Sequence, residues 1–287
     1  MSEPWFVEKH TPHAGITLAV EARLFEGRSR FQKVEVLQTV GFGRMLLLDG
    51  AVMLTERDEF IYHEMLVHPA LFAHPAPERV LIVGGGDGGS VRETIKHEAV
   101  RRVTLVEIDG MVVETCRRFF PALTASLEDP RVEVRIQDGF EFLAGRRAAF
   151  DVILVDSTDP VPLAVEGAPG PAERLFTPRF YAMLRAALRP GGLVAFQSEN
   201  PFYSGKILAE MHRDLRAAFG KVALYLAHIP TYPGGFWSFT VASDTVDLGR
   251  MRVDPAPAWT DSLRYFHQAL FPGALALPRY IEQLISG

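Results

Sequence analysis

The residues best suited to do chemistry are acids that each leave an apolar run. Gly84-Gly85-Gly86-Asp87-Gly88-Gly89 sets a carboxylate inside a glycine loop. Glu107 ends a second apolar run, Asp138-Gly139 follows a third, and Asp156-Ser157-Thr158-Asp159-Pro160 leaves a fourth. The loop has the spacing G-x-G-x-x-G through Gly84, Gly86 and Gly89, which lets the chain turn sharply and a ligand approach the backbone. A dinucleotide would set its pyrophosphate there, where a helix N-terminus attracts anions but Asp87 would repel one. A cationic ligand suits Asp87 better. An acid at the position of Glu107 accepts hydrogen bonds from ribose hydroxyls. Asp138 can take an adenine amino group, with Gly139 admitting the ring; it can equally be a helix N-cap. Asp156 and Asp159, the latter held in a turn by Pro160, would form an anionic pocket with Asp87, although Asp and Pro are also ordinary turn residues.

The elements that must position these acids alternate between strand and helix. Residues 80–83, 103–106, 132–136, 152–155, 193–196, 222–227 and 236–242 read as strands. Helices are expected over residues 55–72, opened by Thr55-Glu56-Arg57-Asp58, and over 90–97, opened by the capping box Ser90-Val91-Arg92-Glu93. Asp109 should cap a helix to Phe120, a short helix should cover 140–143, and Thr177-Pro178 should open one that stops at Pro190-Gly191-Gly192. A further helix is expected over 204–219. This alternation predicts an α/β fold, a mostly parallel sheet covered on both faces, with ligands at the carboxyl ends of its strands. Before Thr55 no helix is needed. Residues 16–24 and 31–37 alternate, and Gly41-Phe42-Gly43 and Asp49-Gly50 flank 44–48 as hairpin turns. The expected organisation is a small antiparallel β-domain over residues 1–55 and an α/β domain over 56–287. Residues 160–171, rich in Pro, Gly and Ala, read as a mobile lid.

Composition narrows the class. The chain of 287 residues carries a net charge of −5 and no Lys/Arg run, so nucleic acid and anionic membranes are poor partners and a cationic small molecule a good one. Its 48% apolar content supports a sizeable core. Cys116 is the single cysteine, which excludes an internal disulfide and makes a reducing cytoplasm the expected location. The first ten residues lack the apolar core of a signal peptide. His10 and His13, or His63 and His68, lack the Cys or carboxylate pattern of a zinc site, so no metal is expected.

Further stretches fall in a specific order. Gln32, the run Thr55-Glu56-Arg57-Asp58-Glu59-Phe60-Ile61-Tyr62-His63-Glu64-Met65, the glycine loop, Glu107-Ile108-Asp109 and Asp138-Gly139 come first. Asp156 to Pro160, Gly170-Pro171-Ala172-Glu173 before Leu175-Phe176, Ile229-Pro230-Thr231-Tyr232-Pro233-Gly234-Gly235 and Ala276-Leu277-Pro278 follow. Together, over nearly the whole chain, they resemble the signatures of the spermidine synthases, the polyamine aminopropyltransferases. The resemblance implies a Rossmann-like methyltransferase-type domain behind a small N-terminal antiparallel β-domain, and a homodimer or homotetramer. It implies that Gln32, His63, Glu107, Asp138, Gly139 and Pro171 hold the donor. Asp87 would meet the donor's aminopropyl ammonium and also border the acceptor amine. Tyr62, Asp156, Asp159 and Tyr232 would hold the acceptor, with Asp156 as base. Residues 161–168 look like extra loop relative to that family.

The implied donor is decarboxylated S-adenosylmethionine, a co-substrate, so no further cofactor or metal is expected. The acceptor nitrogen attacks the propyl carbon beside the sulfonium and methylthioadenosine leaves. Deprotonating an alkyl amine of pKa about 10.4 at pH 7 costs roughly 4–5 kcal/mol, and an ordinary Asp is a weak base for it. Desolvation and the sulfonium should lower the amine's pKa, and clustered carboxylates should raise that of Asp156. Putrescine is the expected acceptor; agmatine, cadaverine or spermidine stay open, with acceptor length set near Tyr62, Tyr203, Tyr232 and Trp237. A methyltransferase is the main alternative, but intact S-adenosylmethionine brings a carboxylate that Asp87 would repel. A polyamine- or nucleoside-binding protein without activity is a third reading.

Overall fold

The computed structural model describes residues 4–158, 172–248 and 257–286. The first five strands, β1 (Trp5–Thr11), β2 (Ala14–Arg28), β3 (Lys33–Thr39), β4 (Gly43–Leu48) and β5 (Ala51–Thr55), pair in chain order as an antiparallel meander. The β4–β5 hairpin closes through Asp49 and Gly50, whose φ values of 48° and 84° are the double left-handed geometry that Asp-Gly favours. Alternation then sorts the side chains. Met45, Leu47 and Val52 join Leu37 and Val20 on one face, while Leu46, Leu48 and Leu54 join Val34 and Val36 on the other. That second face packs on Val112, Cys116 and Phe120, so Cys116 is a core residue of the seam between the two sheets' domains.

Among the described residues the second sheet has seven strands: β6 (Arg79–Gly84), β7 (Arg102–Glu107), β8 (Val132–Ile136), β9 (Phe150–Asp156), β10 (Leu188–Gln197), β11 (Lys221–His228) and β12 (Phe236–Ser243). Their order is β11-β12-β10-β9-β6-β7-β8, with β12 antiparallel to both neighbours and the other pairings parallel. The helices are α1 (Glu59–Ala73), α2 (Gly89–Thr94), α3 (Gly110–Phe119), α4 (Pro121–Thr124), α5 (Gly139–Leu143), α6 (Pro178–Ala187), α7 (Gly205–Ala218), α8 (Phe271–Ala274) and α9 (Arg279–Ser286). One core joins Met65 and Leu66 of α1 and Phe271 of α8 to one face of the sheet; another joins Phe140, Phe180 and Leu215 of α5, α6 and α7 to the opposite face. The chain leaves β6 for β7 and β8, then returns to β9 on the other side of β6. Gly84 and Asp156 are register partners at this reversal, the position where open α/β sheets bind ligands.

Three local expectations are corrected. The helix expected from Thr55 begins at Glu59, and Thr55 ends β5; its hydroxyl bonds Asp58 Oδ1 at 2.5 Å instead of capping a backbone N–H. Asp58 is itself committed to Thr231, accepting from its N–H and hydroxyl at 3.0 and 2.8 Å. Ser90 does not cap α2 either. Gly88 stands at that cap with φ 86°, α2 ends at Thr94, and Ser90 is drawn away by a long-range partner. The helix after Thr177-Pro178 stops at Ala187, because Leu188 already pairs with Phe150. Among the described residues, no helix is long and apolar enough to cross a membrane.

Candidate active site

The carboxyl ends of β6, β7 and β9 open into one cavity, roofed by β4, β5 and the 232–237 turn. Gly84 has φ 86°, and a Cβ there would fall 2.1 Å from the carbonyl oxygen of Asp156. The glycine loop thus first makes room for its neighbouring strand. Gly85 N–H then donates to that same carbonyl at 2.8 Å. Asp87, at the loop's tip, accepts from Gly89 N–H at 2.7 Å.

Glu107 accepts from Gly86 N–H at 3.2 Å and from Asp109 N–H at 2.9 Å. Burial outweighs these bonds and pushes its carboxyl up to about 7. Asp138 caps α5, accepting from Phe140 N–H at 2.7 Å, as one sequence reading of it expected, and it also lines the cavity. Gln32 reaches across from the first sheet and donates to Asp109 Oδ2 at 3.1 Å.

Asp156 sits between two hydroxyl donors, Tyr62 on Oδ1 and Ser90 on Oδ2, each at 2.6 Å. Both bonds favour the carboxylate. Burial and the charge of Asp87 outweigh them, and its pKa lies above the usual carboxylate range. His63 bridges two acids: Nε2 lies 3.2 Å from Asp87 Oδ1, and Nδ1 lies 2.6 Å from Glu59 Oε2. Burial opposes its charge, but Asp87 and Glu59 prevail and raise the imidazole to about 10. Burial also opposes the charge of Asp87, and the His63 cation holds its carboxyl below the ordinary value. His63, Asp87 and Asp156 bring ligand-type atoms within 4.8 Å of one another. Both imidazole nitrogens and both Asp156 oxygens already have protein partners, so the cluster is an internal ion network.

Two family models match the chain: the spermine/spermidine synthase domain over residues 59–250, and the spermidine synthase tetramerisation domain over residues 4–56. A polyamine aminopropyltransferase of Bacillus subtilis (strain 168) is 43% identical over 99% of this chain and 100% of its own. One from Bacillus mycoides (strain KBAB4) is 44% identical over 99% of each. A crystal structure of spermidine synthase in complex with the transition-state analogue AdoDATO superposes over 100% of this chain and 96% of that one. Its TM-score is 0.94 at 33% identity. The spermidine synthase of Thermotoga maritima gives a TM-score of 0.92, also at 33% identity.

The chain belongs to the spermine/spermidine synthase family.

It is an aminopropyltransferase of that family, with the Rossmann-like domain and N-terminal antiparallel β-domain the sequence implied. Of the residues singled out from the sequence, Gln32, Tyr62, His63, Asp87, Glu107, Asp138, Gly139, Asp156 and Tyr232 line the one cavity. Asp159, Pro171 and the stretch 160–171 lie outside the described residues. Tyr203 is not among the described lining residues. Asn200 Oδ1 accepts the N–H groups of Phe202 and Tyr203, and the Tyr203 ring lies 5.7 Å from that of His10. Tyr232 and Trp237 do line the cavity, edge to face at 4.8 Å, and Tyr232 Oη donates to the Met53 carbonyl at 2.6 Å.

The family's cavity in this chain also holds residues not foreseen. Glu8, from β1, lines it while accepting Val52 N–H at 3.0 Å. Arg174 lines it too, bonded to Asp138 at 3.2 Å and Glu141 at 3.0 Å, its guanidinium 4.2 Å from the Phe140 ring centre. Gln197 lines it and donates to the Ser157 carbonyl at 3.1 Å. Only Glu8 carried a local signal, an acid alternating with exposed apolar residues on an edge strand. Among the described lining residues, the acids Glu8, Asp87, Glu107, Asp138 and Asp156 outnumber the basic side chains His63 and Arg174, and the excess remains with Glu107 and Asp156 protonated. This excess of negative charge favours positively charged substrates.

Proposed function

We propose that this aminopropyltransferase moves the aminopropyl group of decarboxylated S-adenosylmethionine to putrescine, giving spermidine and methylthioadenosine. The observation that carries the reading is the pair of acids at the sheet's reversal point, the half-buried Asp87 and the buried Asp156. Glu107, Asp138, Tyr62 and Tyr232 line the same cavity, and this reading gives the two acids to the nucleoside and the two tyrosines to the amine. Asp87 suits the donor's terminal ammonium and would repel the carboxylate of intact S-adenosylmethionine. Gln32, His63, Glu107, Asp138, Gly139 and Pro171 belong to the donor side in this reading. Tyr62, Asp156, Asp159 and Tyr232 belong to the acceptor side, with Asp87 between.

In the transfer, the amine nitrogen's lone pair forms the bond to the propyl carbon as the carbon–sulfur bond breaks. The electrons of that bond stay on sulfur and neutralise the sulfonium. The amine's surplus proton passes to Asp156, whose raised pKa narrows the gap to the amine. Tyr62 and Ser90 orient its two oxygens. The decarboxylated donor is a co-substrate, and the reading calls for no other cofactor.

The test is a panel of putrescine, cadaverine, agmatine and spermidine with the decarboxylated donor and with intact S-adenosylmethionine, products identified by mass. Aminopropylated putrescine as the main product is expected; methylated amine from the intact donor would overturn the reading. Asp156→Asn should keep methylthioadenosine binding and lose about 10²–10⁴-fold in turnover. The match of residues 4–56 to a tetramerisation domain supports a homodimer or homotetramer. So do Trp5 and Val7, 61% and 54% exposed on β1. Sedimentation showing a monomer would refute it. The single buried Cys116 supports a reducing cytoplasm as its location.

A further inference from the structure

Behind Asp87 runs a row of alternating charges. Arg92, on α2, grips Glu59 with Nη1 on Oε1 at 2.9 Å and Nη2 on Oε2 at 3.0 Å. Its Nε donates to Glu93 Oε1 at 2.6 Å. Glu93 Oε2 takes Lys96 Nζ at 2.5 Å and His68 Nε2 at 2.9 Å. Glu59 passes this anchorage to His63, and His63 to Asp87. Glu59, Arg92 and Glu93 are not among the described residues that line the cavity.

The geometry decides the state of His63. A neutral imidazole has one N–H and one lone pair. With a carboxylate at hydrogen-bond distance from each nitrogen, the neutral ring would aim its lone pair at an anion. The doubly protonated ring satisfies both. The groups around it agree: Glu59 and Tyr62 from α1, Asp87 from the glycine loop, Arg92 from α2 behind Glu59, and Asp156 from β9. The row ends at His68 and His97. Burial lowers the pKa of both, and His97 falls to about 2, so neither extends the charge further. A separate feature shows that the fold has made room for this ring. A Cβ at Gly89 would lie 2.2–2.4 Å from three atoms of the His63 imidazole.

Taking the aminopropyl-transfer reading as its basis, we propose that Glu59 and Arg92 are positioning residues, which act through His63 to hold the Asp87 carboxylate where it meets the donor's ammonium. Arg92 suits this because its guanidinium is a rigid two-pronged donor that fixes a carboxylate in plane. Glu59 so fixed holds Nδ1, and the ring can then offer Nε2–H to Asp87 in one direction only. Without the clamp, Asp87 would face Asp156 with no fixed cation between them, and one of the two acids would take up a proton.

Methylthioadenosine lacks the aminopropyl ammonium, so it separates this role from a general structural one. In the full chain labelled with ¹⁵N-histidine, the His63 ring, assigned with His63→Gln, should stay imidazolium from pH 6 to 8.5. In Glu59→Gln it should titrate within that range. At pH 8 the KM for the decarboxylated donor should rise at least tenfold while the Kd for methylthioadenosine changes less than twofold. Glu59→Asp should recover part of the loss. A neutral His63 ring in the unsubstituted chain at pH 7 would overturn the proposal, and that measurement needs no variant to fold. An unchanged donor KM in Glu59→Gln, or equal weakening of donor and methylthioadenosine, would overturn it as well. Failure of the underlying reading would show differently, as an unsubstituted chain that aminopropylates no amine while its His63 signal is unaltered.

Discussion

Tyr62→Phe removes one oxygen atom from the site and leaves in place the ring proposed to border the acceptor. The lost bond is the short one to Asp156 Oδ1, 2.6 Å long and buried. Burial and Asp156 push the Tyr62 phenol well above its usual pKa, so it remains a donor throughout the working range. A hydrogen bond to a charged group contributes about 1.5–3 kcal/mol. At 1.36 kcal/mol per unit, its loss should raise the pKa of Asp156 by about 1–2 units. The direction follows from what is bonded: Tyr62 stabilises the charged carboxylate, so removing it lets the proton stay on to higher pH. The assay is kcat/KM for putrescine from pH 5.5 to 9.5. The acidic limb should move up by about 1–2 units, with activity approaching roughly 10–100-fold lower at pH values below the unsubstituted enzyme's own acidic limb and rates within a few-fold of it at the alkaline end. Methylthioadenosine affinity should not change. If Tyr62→Phe lowers activity by the same factor at every pH, Tyr62 does not set the charge of Asp156 and the argument for a tuned base fails.

Gly89→Ala should force the His63 ring out of its place against α2. Overpacking of this kind costs about 1–3 kcal/mol, read as a lowered midpoint in urea unfolding, and donor affinity should fall with it. An unchanged midpoint with unchanged donor affinity would show that the ring relocates freely. Glu107 titrates near 7 in the folded chain, against 4.5 for the ordinary side chain. Below pH 4.5 both states are protonated and it contributes nothing; as pH rises toward 7 the unfolded state ionises first, and stability falls by about 3 kcal/mol. Glu107→Gln should flatten that part of the pH–stability curve and abolish nucleoside binding; an identical slope in the variant would contradict the buried, proton-retaining state.

Much of the frame was legible because it depends on local pattern. The β4–β5 hairpin could be read from Asp49-Gly50, since few other pairs tolerate two successive left-handed residues. The strands ending at Glu107 and Asp156 could be read from their unbroken apolar runs, because parallel strands buried on both faces admit little else. β1 escaped notice because its pattern is mostly exposed at a sheet edge. The boundaries of α1 and α2 depart from the local pattern for one shared reason. Thr55 and Ser90 have the side chains of helix caps, and a capping motif cannot reveal that a distant residue will claim the hydroxyl.

What the sequence determined by itself was the kind of molecule: an α/β chain whose acids fall at strand ends, with motifs ordered as in the aminopropyltransferases. Tertiary structure alone decided how those acids behave. Ser90 and Tyr62 stand 66 and 94 residues from Asp156, and Arg92 stands 33 from Glu59. Charge states depend on burial and on neighbours within a few ångströms, and such neighbours are chosen by the packing of sheet, loop and helix. An isolated Asp, His or Glu carries its ordinary pKa in any sequence. Only after folding does Asp156 rise, Asp87 fall and His63 become a fixed cation between two carboxylates.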